Sequence, residues 1–93
     1  MNFFSYVNNV NIVGFKGYAV KGKRMDNHVI KDLVTDKAVD CFASCKDTLG
    51  CVSFNLCTDA VTKHNICELN NATQNDIIAD KNCVYYTLNI GRC

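Results

Sequence analysis

The apolar positions change spacing several times along the chain, and each change marks an element. Residues 3–7 form an apolar and aromatic run that predicts a short first strand. Asn8 and Asn9 interrupt it with turn chemistry, after which Val10, Ile12 and Phe15 resume an apolar alternation. Gly14, Gly17 and Gly22 divide the region into short strands, with residues 18–20 the best extended piece and residues 21–24 a polar, basic turn. Val29, Ile30, Leu33 and Val34 suit a strand that leads into a helix.

That helix is expected over residues 37–48. Asp36 is a candidate N-cap, Asp40 favours the first turn through the helix dipole, and Gly50 is the left-handed exit residue. Val39, Phe42 and Leu49 share one side at helical spacing, and Cys41 and Cys45 lie a turn apart on one face. Residues 52–56 then alternate Val, Phe and Leu with Ser and Asn, which predicts a half-buried strand. It joins a second strand, residues 66–69, as a hairpin. A long polar connection over residues 70–82 precedes the clearest strand by propensity, residues 84–88. One helix among short strands gives an α+β fold, an antiparallel sheet with the helix against one face.

Composition narrows the class. At 93 residues the chain is read as one small domain, 1–93, which gains from covalent restraint because so short a chain buries little core. Seven cysteines approach the density of a disulfide scaffold and point to an oxidising, secreted setting. A net charge of +1 gives no large field for nucleic acid, and no stretch approaches the roughly 20 apolar residues needed to span a bilayer. Met1-Asn2-Phe3-Phe4 lacks the basic start and long apolar core of a signal peptide. The expectation is an excised domain whose odd cysteine, Cys93, has been separated from its partner.

Three chemistries compete for the cysteines. Cys41-x3-Cys45-x5-Cys51 lacks the paired knuckles of a zinc site; His64, three residues before Cys67, is the one further ligand candidate. A catalytic thiol needs a nearby base, and neither His28 nor His64 lies in a nucleophile motif. No paired-carboxylate or phosphate-loop signature occurs either, so no enzyme activity and no cofactor are expected. Crosslinking remains. A bridge between Cys41 and Cys45 would barely restrain the chain, whereas bridges leaving the helix would pin it to the sheet. Cys45 to Cys51 needs only the reversal at Gly50; Cys41 to Cys67 would close a loop of about 25 residues, worth roughly 3–4 kcal/mol in the loop-entropy model.

The run Cys41-x3-Cys45-x5-Cys51-Val-Ser-Phe-Asn, with Cys67-Glu-Leu-Asn and Tyr85-Tyr86, resembles the PAN/apple (plasminogen-apple-nematode) domain. The resemblance spans nearly the whole chain, though its N-terminal half matches only in hydrophobic pattern. It implies a curved antiparallel sheet cradling one helix, with core bridges Cys41–Cys67 and Cys45–Cys51. The third bridge of coagulation-type apple domains has no counterpart, because no cysteine precedes Cys41. Of the remaining three, Cys57 ends one strand and Cys83 precedes the last, so Cys57–Cys83 is expected, leaving Cys93 unpaired or paired outside the domain. Spacing does not choose among the three possible pairings.

The resemblance also implies a non-catalytic extracellular module for adhesion or recognition of a protein or glycan, one unit of a mosaic protein. A stand-alone secreted effector, an inhibitor or toxin, is the alternative; its reactive loop would fall in residues 58–65 or 70–82. Lys16, Lys21, Lys23 and Arg24 form the local basic cluster, a candidate contact for a sulfated glycan or other polyanion. The same Lys-x-Lys-Arg run could be read by a basic-site protease. Asn71-Ala-Thr73 is an N-glycosylation acceptor, with Asn55-Leu-Cys57 and Asn65-Ile-Cys67 weaker variants. Tyr18, Phe54, Tyr85 and Tyr86 are candidate recognition aromatics; alternation along a strand buries only one of Tyr85 and Tyr86.

Overall fold

A computed structural model describes residues 7–12, 15–73 and 76–88. Strands β1 (Val7–Ile12), β2 (Phe15–Met25) and β3 (Val29–Val34) precede helix α1 (Ala38–Asp47). Strands β4 (Ser53–Thr58), β5 (Asn65–Asn70) and β6 (Ile77–Leu88) follow it. All six strands form one antiparallel sheet in the order β1-β2-β6-β4-β5-β3. The α+β arrangement read from the apolar pattern is the observed one.

Several local expectations fail, and pairing explains why. Asn8 and Asn9 make no turn; they lie within β1 opposite Ala19 and Tyr18, so the chain stays extended there and pairs with β2. Residues 3–6 of the expected first strand lie outside the described residues. Gly17 does not break β2. It sits opposite Leu88, where a Cβ would run into the carbonyl oxygen of Thr87, so the glycine is there for close approach of two backbones. Gly17→Ala should therefore lower stability by about 1–3 kcal/mol, as overpacking does. A urea midpoint equal to that of the parent protein would show that the β2–β6 contact gives way freely.

Around α1 the capping differs from expectation. Lys37 occupies the N-cap position with no side-chain cap, and Asp36 does not cap. Thr35 steadies the approach to the helix: its Oγ1 accepts from the Lys37 N–H at 3.2 Å and donates to Asp40 Oδ2 at 2.6 Å. Gly50 has the left-handed φ of 88° that turns the chain back toward β4. Leu49 is 99% exposed, because the helix ends at Asp47 and releases it before it can join the buried face. Phe42 is fully buried and meets Phe54 at 5.0 Å and Tyr86 at 5.7 Å, edge to face, while Phe54 and Tyr86 stack at 4.7 Å. Cys41, Cys45, Cys51, Cys67 and Leu69 complete this core between α1 and the sheet.

The sheet is covered on its other face as well. β4 begins with three successive buried residues, Ser53, Phe54 and Asn55, so it is not the half-buried strand its alternation predicts. Phe54 faces the helix; Ser53 and Asn55, on the opposite face by strand alternation, are covered by the end of β2. The β2–β6 ribbon runs in register from Gly17↔Leu88 to Lys21↔Val84, then shifts and resumes at Lys23↔Ala79. Gly22, with φ of 75°, sits at the shift. Beyond it the ribbon folds back across β4, and Met25 is fully buried there. Asn55 fastens this return. Its Oδ1 accepts from the Met25 N–H at 2.8 Å, and its Nδ2 donates to the Met25 carbonyl at 2.9 Å and to Glu68 Oε1 at 3.0 Å. The expected loop is therefore largely strand: β6 begins at Ile77, and residues 77–79 pair with a part of β2 that lies far away in sequence.

Candidate functional site

The fold-back decides what becomes of the basic run. Residues 21–24 are not a free turn but strand β2 passing through the bend at Gly22. Lys21 is exposed and Lys23 half-buried, while on the partner strand residues 80–83 bulge out of the β2 pairing opposite Gly22, Cys83 pairing instead with Cys57 of β4. Within that bulge Asp80 Oδ1 accepts from the Asn82 N–H at 3.0 Å, and Lys81 between them is exposed. Lys81 thus joins Lys21 and Lys23 at the bend, although it is 58 residues from Lys23 in sequence. Nothing in the linear pattern except the Asp-Lys-Asn turn chemistry hints at this.

Arg24 is spent differently. Its Nε donates to Asp80 Oδ2 and its Nη1 to Asp26 Oδ1, each at 3.1 Å. Burial opposes its charge, but the bonds to Asp80 and Asp26, with Glu68 nearby, outweigh that and raise its pKa above the ordinary value. A guanidinium held between two carboxylates ties β2 to β6 and offers little net positive charge to a polyanion. The Lys16 side chain lies outside the described residues.

The remaining candidates separate by burial. Cys41 is bonded to Cys67, Cys45 to Cys51 and Cys57 to Cys83, with Cα separations of 5.9, 5.2 and 4.0 Å. The first joins the first turn of α1 to β5, the second closes the reversal after α1, and the third links directly opposed residues of β4 and β6. Cys93 lies outside the described residues. His28 Nε2 meets Asp76 Oδ2 at 2.8 Å, and His64 is exposed in the β4–β5 hairpin, so neither stands beside a nucleophile. Among the described residues no three His, Cys, Asp or Glu side chains are placed to hold a metal, and no helix is long and apolar enough to cross a membrane. Tyr85 is buried and Tyr86 is half-buried in the aromatic core, where desolvation raises its pKa. Tyr18 is half-exposed, and Asn71 is exposed.

The polar residues of the Cys51-Val-Ser-Phe-Asn run now have roles. Ser53 Oγ donates to the Ala72 carbonyl at 2.6 Å, and Asn55 holds Met25, so both fix chain segments over the sheet. They are scaffold, as the bonded cysteines are.

A family model described as PAN domain matches residues 18–90 of the chain. No curated protein and no solved structure matches it.

Proposed function

Because the chain belongs to the PAN domain family of protein- and carbohydrate-binding modules, we propose that it is a non-catalytic extracellular recognition domain. In this reading the ligand is a sulfated glycan and the contact is the bend of the β2–β6 ribbon, with Lys21, Lys23 and Lys81 as the binding cations. The observation that carries it is the β2–β6 register, which sets the bulge holding Lys81 opposite the Gly22 bend between Lys21 and Lys23, beside an arginine paired with Asp26 and Asp80. Three bridges in so short a chain support a secreted or extracellular setting, and a recognition module of this kind acts as one unit of a mosaic protein. Against the competing effector reading, the longer of its two candidate loops is shortened by β6, which begins at Ile77. The hairpin 59–64 is held tight from within, with Asp59 Oδ1 accepting from the Val61 and Thr62 N–H groups.

Heparin chromatography of the oxidised protein tests the proposal. With a net charge of only +1, retention requires a local patch. The triple variant Lys21→Gln/Lys23→Gln/Lys81→Gln should elute at clearly lower salt than the parent. Arg24→Gln should lower stability and leave the elution salt of the folded fraction near that of the parent. Equal elution of the triple variant and the parent would place the site elsewhere.

A further inference from the structure

Three acceptor sequences for N-linked sugar occur in the chain, and the fold treats them differently. Asn55 is fully buried with its amide bonded to Met25 and Glu68, and Cys57, two residues on, is in a bridge. Asn65 is half-buried, its Oδ1 accepts from Thr58 Oγ1 at 2.7 Å, and Cys67 is buried and bonded. A sugar on either amide would be incompatible with these contacts. Asn71 and Thr73 are both exposed, and the segment that presents them is anchored through main-chain groups alone. The Asn71 N–H donates to the His28 carbonyl at 3.1 Å, and the Ala72 carbonyl accepts from Ser53 Oγ. The Asn71 side chain is thus left to solvent while its backbone is fixed.

Asn71 also occupies a particular place in the sheet. It directly follows Asn70, which pairs with Val29 at the start of β3, the outer strand on this side. Outer strands present unpaired backbone groups and invite a second chain to add on. On β3, Lys31 and Asp32 place charge at the centre, but Val29 and Ile30 are each 41% exposed at the end beside Asn71. A branched, hydrated sugar rooted one strand inward would cover that end.

We infer that Asn71 carries an N-linked glycan and that this glycan shields the open β3 edge from pairing with a second copy of the chain. The inference rests on the extracellular reading, so the protein is to be expressed through the secretory route of a glycosylating eukaryotic cell. Intact-mass analysis of the secreted, oxidised protein should show one glycan, lost on glycosidase treatment and absent from Asn71→Gln. Secreted protein with three bridges and no glycan overturns the site; failure to be secreted and oxidised overturns the extracellular reading instead. Light scattering over a rising concentration series should find the glycosylated protein monomeric. Deglycosylated protein and Asn71→Gln should both become dimers or larger species, and Ile30→Lys added to Asn71→Gln should restore the monomer. Monomeric Asn71→Gln at every concentration, or association that Ile30→Lys leaves unchanged, overturns the shielding.

Discussion

The Cys41→Ala/Cys67→Ala double variant should be less stable than the parent by about 3–4 kcal/mol from loop entropy alone, given the sequence separation of 26. Domains of this kind have only about 5–15 kcal/mol in total. The Cys57–Cys83 bridge has the same separation of 26, so the loop model ranks the two equally. The folded state separates them. Cys57 and Cys83 face each other on strands already paired by the ladder, and removing their bridge leaves that register in place. Cys41 and Cys67 are fully buried and form the link between the start of α1 and β5. Without it, Phe42 is freed from the Phe54–Tyr86 pair. The Cys41/Cys67 variant should therefore lose its near-ultraviolet tyrosine signal and bind a hydrophobic dye. Cys57→Ala/Cys83→Ala should keep the signal at the same temperature. Identical near-ultraviolet spectra and midpoints for the two variants would refute this division of labour.

Asn55→Leu should cost about 2–5 kcal/mol although it preserves size. The change leaves the Met25 N–H and carbonyl without partners in a buried setting, each worth about 1–3 kcal/mol, and takes a donor from Glu68. Its effect should be local first. Hydrogen exchange at the Met25 amide should accelerate far more than at amides in the paired core of β4 and β5, because the folded-back ribbon opens before the sheet does. An unchanged Met25 exchange rate in Asn55→Leu would mean that ladder pairing with Ile77 alone holds the ribbon down.

These two results bear on function through what they leave untouched. The distinctive cysteines, Ser53 and Asn55 hold the helix and the ribbon to the sheet, so they identify the scaffold. The proposed ligand contacts, Lys21, Lys23 and Lys81, sit at the bend where the ladder is interrupted, outside the buried core. Recognition can vary there without cost to the core.

By itself the sequence determined the fold class, the helix, the β4–β5 hairpin and the last strand's second half. Those elements announce themselves within short windows, through the helical spacing of Cys41, Phe42 and Cys45, the reversal at Gly50 and the β-branched and aromatic run ending at Leu88. The tertiary structure alone decided the path of β2 and the first half of β6. A glycine looks like a breaker until a second backbone is seen crossing close to it, as Thr87 crosses Gly17. A short run such as residues 77–79, set in a polar stretch, looks like loop until its partner strand arrives from elsewhere in the chain. Charge depends on partners in the same way. Arg24 and Lys23 are neighbours in sequence, yet the fold brings Asp26 and Asp80 to the arginine and Lys81 to the bend beside Lys23. A sequence shows which side chains carry charge, but only the fold sets which of those charges are neutralised, because Coulomb interaction depends on distance in space.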